Sequence, residues 1–210
     1  MAYLILARHA KSEWNDLGRW TGWTDVALSP EGEKEAARTA EQLRDIEIHE
    51  THASPLMRTK RTLQIIKEKL GISHLKDFIH DALKERNYGT LTGKNKWEIK
   101  KEIGEEAFNK IRRGWNEPIP EGETLQDVYN RVVPYYERTI FGSLKSGKNV
   151  LVVAHGNSLR ALAKYLENIS DDEIAKLEIG VAELHIYHVD EAGTITAKEI
   201  RAENKNKANI

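Results

Sequence analysis

No cysteine occurs anywhere in the 210 residues. Disulfide frameworks, thiolate metal sites and cysteine nucleophiles are excluded with it. Charge of one sign is also not in excess: 32 Lys and Arg against 33 Asp and Glu leave a formal net charge of −1. The basic surplus of a nucleic-acid-binding protein is therefore missing. No apolar run approaches the roughly 18 residues of a membrane span. Tyr3 to Ala7 is too short for the apolar region of a signal peptide, and it leads into charge rather than a cleavage site. These features lead us to expect a cytoplasmic protein without nucleic-acid or membrane partners. No His-Glu-Xaa-Xaa-His spacing or comparable ligand set appears, so no metal is expected. A chain of this length, 40% hydrophobic, can bury one core, and no break in composition divides it. We expect one domain over residues 1–201, followed by a polar, Lys- and Asn-rich flexible tail over residues 202–210.

Two segments share a design. Leu4-Ile5-Leu6-Ala7 is an apolar run that ends in Arg8-His9, with Ser12 and Asn15 close behind. Val150-Leu151-Val152-Val153-Ala154 ends in His155 and leads through Gly156 and Asn157 into a helical pattern. Continuous apolar runs are strands covered on both faces, and open α/β sheets bind ligands at the C-terminal ends of their strands. Two histidines at strand ends, with arginines nearby, point to one phosphate-handling site.

Between them lie helix signals. Ser29-Pro30-Glu31-Gly32-Glu33 caps and starts a helix with Ala36, Ala37, Ala40 and Leu43 on one face. A second helix runs from Pro55 through Leu56, Leu63, Ile66 and Leu70 to a stop at Gly71. Asp81 to Gly93 reads as an irregular loop, Lys94 to Gly114 as one or two short helices, and Pro118 to Gly122 as a turn. Thr124 caps a long helix with Val128, Val132, Tyr135 and Ile140, kinked by Pro134. Val181 to Val189 suggests another strand. The expected fold class is α/β: a single domain with a mostly parallel central sheet and helices on both faces.

A neutral imidazole is nucleophilic at pH 7 and can leave again, so a phosphohistidine can serve as an intermediate. His9 is the candidate nucleophile. Arg8 and Arg58 are candidates to bind the phosphate and disfavour protonation of His9, with His155 a donor to phosphoryl oxygens. The helix start at Gly156 and Asn157 offers backbone N–H groups to an anion. Glu85 is the candidate proton donor and acceptor. Lys96 and the Arg112-Arg113 pair exceed what one phosphate needs, so a second anionic group on the substrate is expected. His49, His52, His74, His80, His185 and His188 have no such neighbours in sequence.

Arg8-His9-Ala10-Lys11-Ser12-Glu13-Trp14-Asn15, Trp20-Thr21-Gly22-Trp23, Glu85-Arg86-Asn87-Tyr88-Gly89 with Lys96, Arg112-Arg113-Gly114 and Ala154-His155-Gly156-Asn157-Ser158-Leu159-Arg160 together resemble the 2,3-bisphosphoglycerate-dependent phosphoglycerate mutases. The match runs in the family's order from about Tyr3 to Val189. The resemblance implies phosphorylation of His9, proton transfer by Glu85 and transition-state stabilisation by His155. It places Arg8, Ser12, Asn15, Arg58 and His155 around the transferred phosphoryl group. Thr21, Gly22, Tyr88, Lys96, Arg112, Arg113, Gly156 and Asn157 would hold the rest of the phosphoglycerate. The implied reaction interconverts 2- and 3-phosphoglycerate in glycolysis and gluconeogenesis, primed by 2,3-bisphosphoglycerate and without a metal. The oligomeric state stays open.

Four departures stand out. Ala10 and Lys11 replace the family's Gly and Glu, and Arg-His-Ala-Lys also resembles phosphohistidine phosphatases of the same superfamily. Because Ala favours negative φ more strongly than Gly, the loop after His9 is expected to adapt. The long insertion of larger mutases is missing between Trp115 and Gly122, Gly180-Val181-Ala182-Glu183 replaces a Gly-Xaa-Pro pattern, and the tail is short. The alternatives are a phosphatase on the same scaffold, which discharges its phosphohistidine to water, and a catalytically silent phosphate-binding protein.

Overall fold

The two apolar runs become neighbouring strands. In chain order the elements of the computed structural model are β1 (Ala2–Arg8), α1 (Glu13–Asp16), α2 (Pro30–Glu41), β2 (Glu50–Ala53), α3 (Met57–Leu70), β3 (Asp77–Ile79), α4 (Lys96–Ile103) and α5 (Glu105–Arg113). They continue with α6 (Leu125–Tyr135), α7 (Phe141–Lys145), β4 (Val150–Ala154), α8 (Gly156–Leu166), β5 (Leu184–Val189) and β6 (Ile195–Arg201). The structure describes residues 1–202, so the expected tail lies, from residue 203, outside the described residues.

The six strands form one sheet in the order β3-β2-β4-β1-β5-β6. The first four run parallel; β5 and β6 add an antiparallel edge. Side chains alternate between the two faces, as the pleat requires. Leu4, Leu6, Val150, Val152, Tyr187 and Val189 pack with Val128, Val132 and Tyr135 of α6, Leu144 of α7 and Leu159 and Leu162 of α8. Ile5, Ala7, Leu151, Val153 and Ile186 pack on the other face with Ala40 of α2 and Leu63 and Ile66 of α3. Full burial of each such aliphatic side chain contributes about 1.5–3 kcal/mol.

Helix α2, the first long helix after β1, and α8, which follows β4, thus cover opposite faces, although the two strands are adjacent and parallel. That divergence opens a crevice at their C-terminal ends, the place where open α/β sheets bind ligands. A smaller cluster of Trp20, Tyr88, Ile99, Phe108 and Ile119, built from loops together with α4 and α5, forms a separate apolar unit.

Several boundaries differ from expectation. Helix α3 starts at Met57 rather than Pro55, because Leu56 is extended and its N–H donates to Ser54 Oγ (3.3 Å), closing a turn first. The strand expected from Val181 begins only at Leu184. Gly180 N–H donates to the Glu183 carboxylate (3.1 Å) and Ala182 adopts φ 56°, so Val181 to Glu183 form a turn. The capped helix at Thr124 runs to Tyr135 and continues through one π-helical turn, Tyr136–Ile140, where Pro134 has just removed a backbone donor.

Candidate active site

His9 and His155 are the first residues past β1 and β4, and the parallel register pairs Arg8 with Ala154. The His9 N–H donates to the Ala154 carbonyl (3.0 Å), and the two imidazole rings meet edge to face at 5.0 Å. His9 Nδ1 lies 2.7 Å from the Ala10 carbonyl. A carbonyl only accepts, so Nδ1 carries the proton and Nε2 is the basic nitrogen. Burial, reinforced by Arg58 and Arg8, holds His9 well below the ordinary histidine value and keeps it neutral. His155 is lowered in the same way, by burial first and then by Arg58 and His9. Its Nε2 pairs with Ser54 Oγ at 2.7 Å, whereas Nδ1 is buried without a hydrogen-bond partner.

Ala10 has the negative φ its side chain favours, and its N–H donates to Thr62 Oγ1 (3.1 Å). Alanine therefore fits where the family has glycine. Lys11 pairs with Asp16.

Around His9 opens a cleft of about 680 Å³, counted together with the solvent at its mouth. Arg8, Arg19, Arg58, Lys96, Arg112, Arg113 and Arg160 line it, with Glu85 and Glu178 as its two carboxylates. Seven cations against two anions, in a protein of net charge −1, mark a site for a multiply charged anion. Of the other expected residues, Asn15, Thr21, Gly22, Tyr88, Gly156 and Asn157 line it as well, whereas His155 is fully buried and stands behind His9 rather than on the cleft wall.

Arg58 is almost wholly buried. Its guanidinium donates to the Thr24 and Gly22 carbonyls (2.9 and 2.8 Å), and burial lowers it to about 10, which still leaves it charged at neutral pH. Gly22 sits at φ 53°, where a Cβ would lie 3.3 Å from the Tyr88 nitrogen, so glycine suits this contact. Arg8 Nη1 donates to the Ile179 carbonyl (2.7 Å), and its Nε is buried without a partner. Lys96 is lowered to about 8, by burial first and then by Arg112 and Arg8.

Two expected contacts are arranged differently. Ser12 does not line the cleft. It is fully buried and caps α1, and its Oγ and N–H both donate to Asn15 Oδ1 (2.8 and 3.0 Å). With Oδ1 so engaged, Asn15 has its amide NH₂ as the group to offer. The N-terminus of α8 gives its Asn157 N–H to Glu85 Oε1 (3.1 Å) instead of leaving it for a ligand. Arg86 N–H donates to the same oxygen (2.7 Å), so the proton-transfer candidate is held by backbone. The Asn157 side chain donates to Tyr88 Oη (2.7 Å) and accepts from Arg160 (2.8 Å). Burial and Glu85 push Tyr88 up to about 12, so it stays a hydroxyl donor.

The irregular Asp81–Gly93 loop is fixed by residues to which no motif assigns a chemical role. Arg131 on α6 donates to the carbonyls of Ala82, Lys84 and Glu85 and pairs with Glu123 at 2.8 Å. Glu123 in turn accepts from Asn87 N–H (2.8 Å). Arg19, Arg160 and Glu178 were likewise not expected in the cleft. Arg160 had a signal, since it stands three residues beyond Asn157 on one helix face. Glu178 had none, lying in an irregular segment. His52 and His185 are fully buried in structural pairs with Glu50 and Glu183. Among the described residues, no group of three or more His, Cys, Asp or Glu side chains could hold a metal ion.

Residues 4–200 match the histidine phosphatase superfamily, branch 1. A phosphoglycerate mutase of Schizosaccharomyces pombe is 42% identical over 199 residues, covering 94% of each chain. The chain belongs to the phosphoglycerate mutase family of the histidine phosphatases. A 2,3-bisphosphoglycerate-dependent phosphoglycerate mutase of a Chelativorans species is 43% identical, covering 94% of this chain and 97% of its own. Among solved structures, YhfR of Bacillus stearothermophilus superposes with a TM-score of 0.80 at 25% identity, covering 97% and 96% of the two chains. A mycobacterial glucosyl-3-phosphoglycerate phosphatase reaches 0.82 at 22% identity, covering 97% of this chain and 99% of its own, a likeness of fold. The cationic cleft and the paired histidines of this chain thus sit within the segment that matches the family.

Proposed function

We propose that this protein is a phosphoglycerate mutase that interconverts 2- and 3-phosphoglycerate through a phosphohistidine at His9, within one catalytic domain over residues 1–201 of a cytoplasmic protein. The observation that carries this is the tautomer of His9: its Nδ1 proton is held by Ala10, which leaves Nε2 basic, beside a cationic cleft.

The donor set fits a bisphosphorylated acid. Arg8 Nε and His155 Nδ1 are buried without partners next to His9, while Lys96, Arg112 and Arg113 line the same cleft. When bound, 2,3-bisphosphoglycerate supplies the phosphoryl group that primes His9. His9 Nε2 attacks phosphorus in line, and the bond from phosphorus to the departing oxygen breaks. Glu85 gives that oxygen a proton. In the reverse half-reaction Glu85 takes a proton from the other hydroxyl, whose oxygen attacks phosphorus as the P–N bond breaks. Arg8, Arg58, Asn15 and His155 follow the charge on the equatorial oxygens. Ser54 O–H donating to His155 Nε2 leaves the Nδ1 proton for one of them. Ser12 acts by orienting Asn15. Thr21, Gly22, Tyr88, Lys96, Arg112, Arg113, Gly156 and Asn157 hold the remainder of the substrate.

The test is to incubate the protein with 3-phosphoglycerate and a trace of 2,3-bisphosphoglycerate, following both 2-phosphoglycerate and free phosphate. Isomer formation far faster than phosphate release supports the mutase. Release at a comparable rate would make the protein a phosphatase.

A further inference from the structure

Glu178 runs against the electrostatic sense of the cleft. Its Oε1 lies 3.3 Å from Arg112 Nη2 and its Oε2 lies 2.7 Å from Arg113 Nη2. The Glu178 side chain is 18% exposed, and those of Arg112 and Arg113 are 15% and 28% exposed. All three residues line the cavity that contains His9. A protein carboxylate thus occupies the guanidinium pair that a substrate anion would use. Paired and partly shielded, it is more stable there than it would be facing the two cations from a distance.

We propose that Glu178 is a specificity-determining residue, an internal anion that holds the Arg112–Arg113 fork and is exchanged for the carboxylate of the phosphoglycerate. This rests on the cleft being a phosphoglycerate site. The backbone on either side of Glu178 is anchored: the Leu177 carbonyl accepts from Arg160 Nε (2.9 Å) and the Ile179 carbonyl from Arg8 Nη1 (2.7 Å). The exchange is therefore a swing of one side chain about a fixed main chain, without opening of the segment. Two consequences follow from charge alone. A ligand with a carboxylate can take over the fork, whereas a neutral group in that position cannot offset the loss of the ion pairs. Competition from the tethered carboxylate also weakens retention of the acidic ligand, which favours product release.

Two ligands isolate the effect, because glycerol 3-phosphate differs from 3-phosphoglycerate in having a hydroxymethyl group in place of the carboxylate. Dissociation constants for both are measured by titration calorimetry on the full-length protein and on Glu178→Gln. The variant is expected to bind 3-phosphoglycerate about tenfold more tightly, the scale of one charge-assisted hydrogen bond. Its affinity for glycerol 3-phosphate is expected to stay within about twofold. Glu178→Ala, which perturbs packing differently, is expected to show the same selective tightening. Equal changes for both ligands, no change, or weaker 3-phosphoglycerate binding in both variants would overturn the proposal, the last by showing that Glu178 serves to hold the arginines in place. Turnover of 3-phosphoglycerate by the wild-type protein separates the levels. An active wild type with unselective variants defeats the exchange alone; a wild type that does not isomerise 3-phosphoglycerate defeats the reading of the cleft.

Discussion

His155 stands edge-on to His9 at 5.0 Å because Arg8 and Ala154 are paired in a parallel ladder and both strands end at the same level. Both rings are buried and held well below the ordinary value of 6.5. In the unfolded chain they titrate near 6.5. Below that pH the unfolded state takes up protons that the folded state refuses, so a contribution present above 6.5 is lost as pH falls. We predict that stability declines on acidification by up to about 1.4 kcal/mol per histidine per pH unit. Urea unfolding at a series of pH values checks this. The decline should be shallower in His155→Asn; an unchanged slope would contradict the assignment for that ring.

Lys96 titrates at the edge of the working range. With its ammonium lowered to about 8, the cleft loses a cation as the pH rises through that value. The KM for 3-phosphoglycerate is expected to climb above pH 8. Lys96→Arg stays charged, so its KM should be flat from pH 7 to about 9, whatever its absolute level. A parallel climb in the variant would remove Lys96 as the titrating group.

Ser54 touches His155 and not the cleft, so its effect should be confined to one kinetic parameter. Ser54→Ala removes the partner that sets the His155 tautomer. The expected result is a fall in kcat of about tenfold with KM within about twofold, the signature of an interaction made in the transition state. A rise in KM with kcat unchanged would show that His155 acts in binding.

Ser12→Ala removes the cap of α1 and both side-chain links to Asn15. A stability loss of about 1 kcal/mol is expected from the cap. Transfer to His9 should also slow, because the Asn15 amide is no longer oriented. Thermal unfolding together with single-turnover phosphorylation measures both. Loss of stability without slower transfer would leave Ser12 a cap only.

Much of this could be read before any coordinates, for physical reasons particular to each element. Strands β1 and β4 are buried on both faces and therefore show as unbroken apolar runs; α2 carries Ser29 and Pro30 at its start. Strand β3 is three exposed residues and β6 a mostly exposed edge, so neither leaves a hydrophobic pattern. Helix α1 is a single turn set by Ser12 and Asn15. At the site, His9 and His155 were legible because each follows a buried strand, and Glu85, Lys96 and the arginine pair through their motifs. Arg131 and Glu123 pair with each other, but their contacts to the Asp81–Gly93 loop, like those of Glu178 to the arginine pair, join segments far apart in sequence, and no local spacing encodes such partners.

Phosphoryl transfer is defined by the nitrogen that accepts the group. After brief incubation with 2,3-bisphosphoglycerate and rapid denaturation at alkaline pH, ³¹P NMR together with peptide mapping locates the modification. We predict a single phosphoramidate on Nε2 of His9, absent from His9→Ala. Phosphate on Nδ1, on His155, or retained in His9→Ala would contradict it.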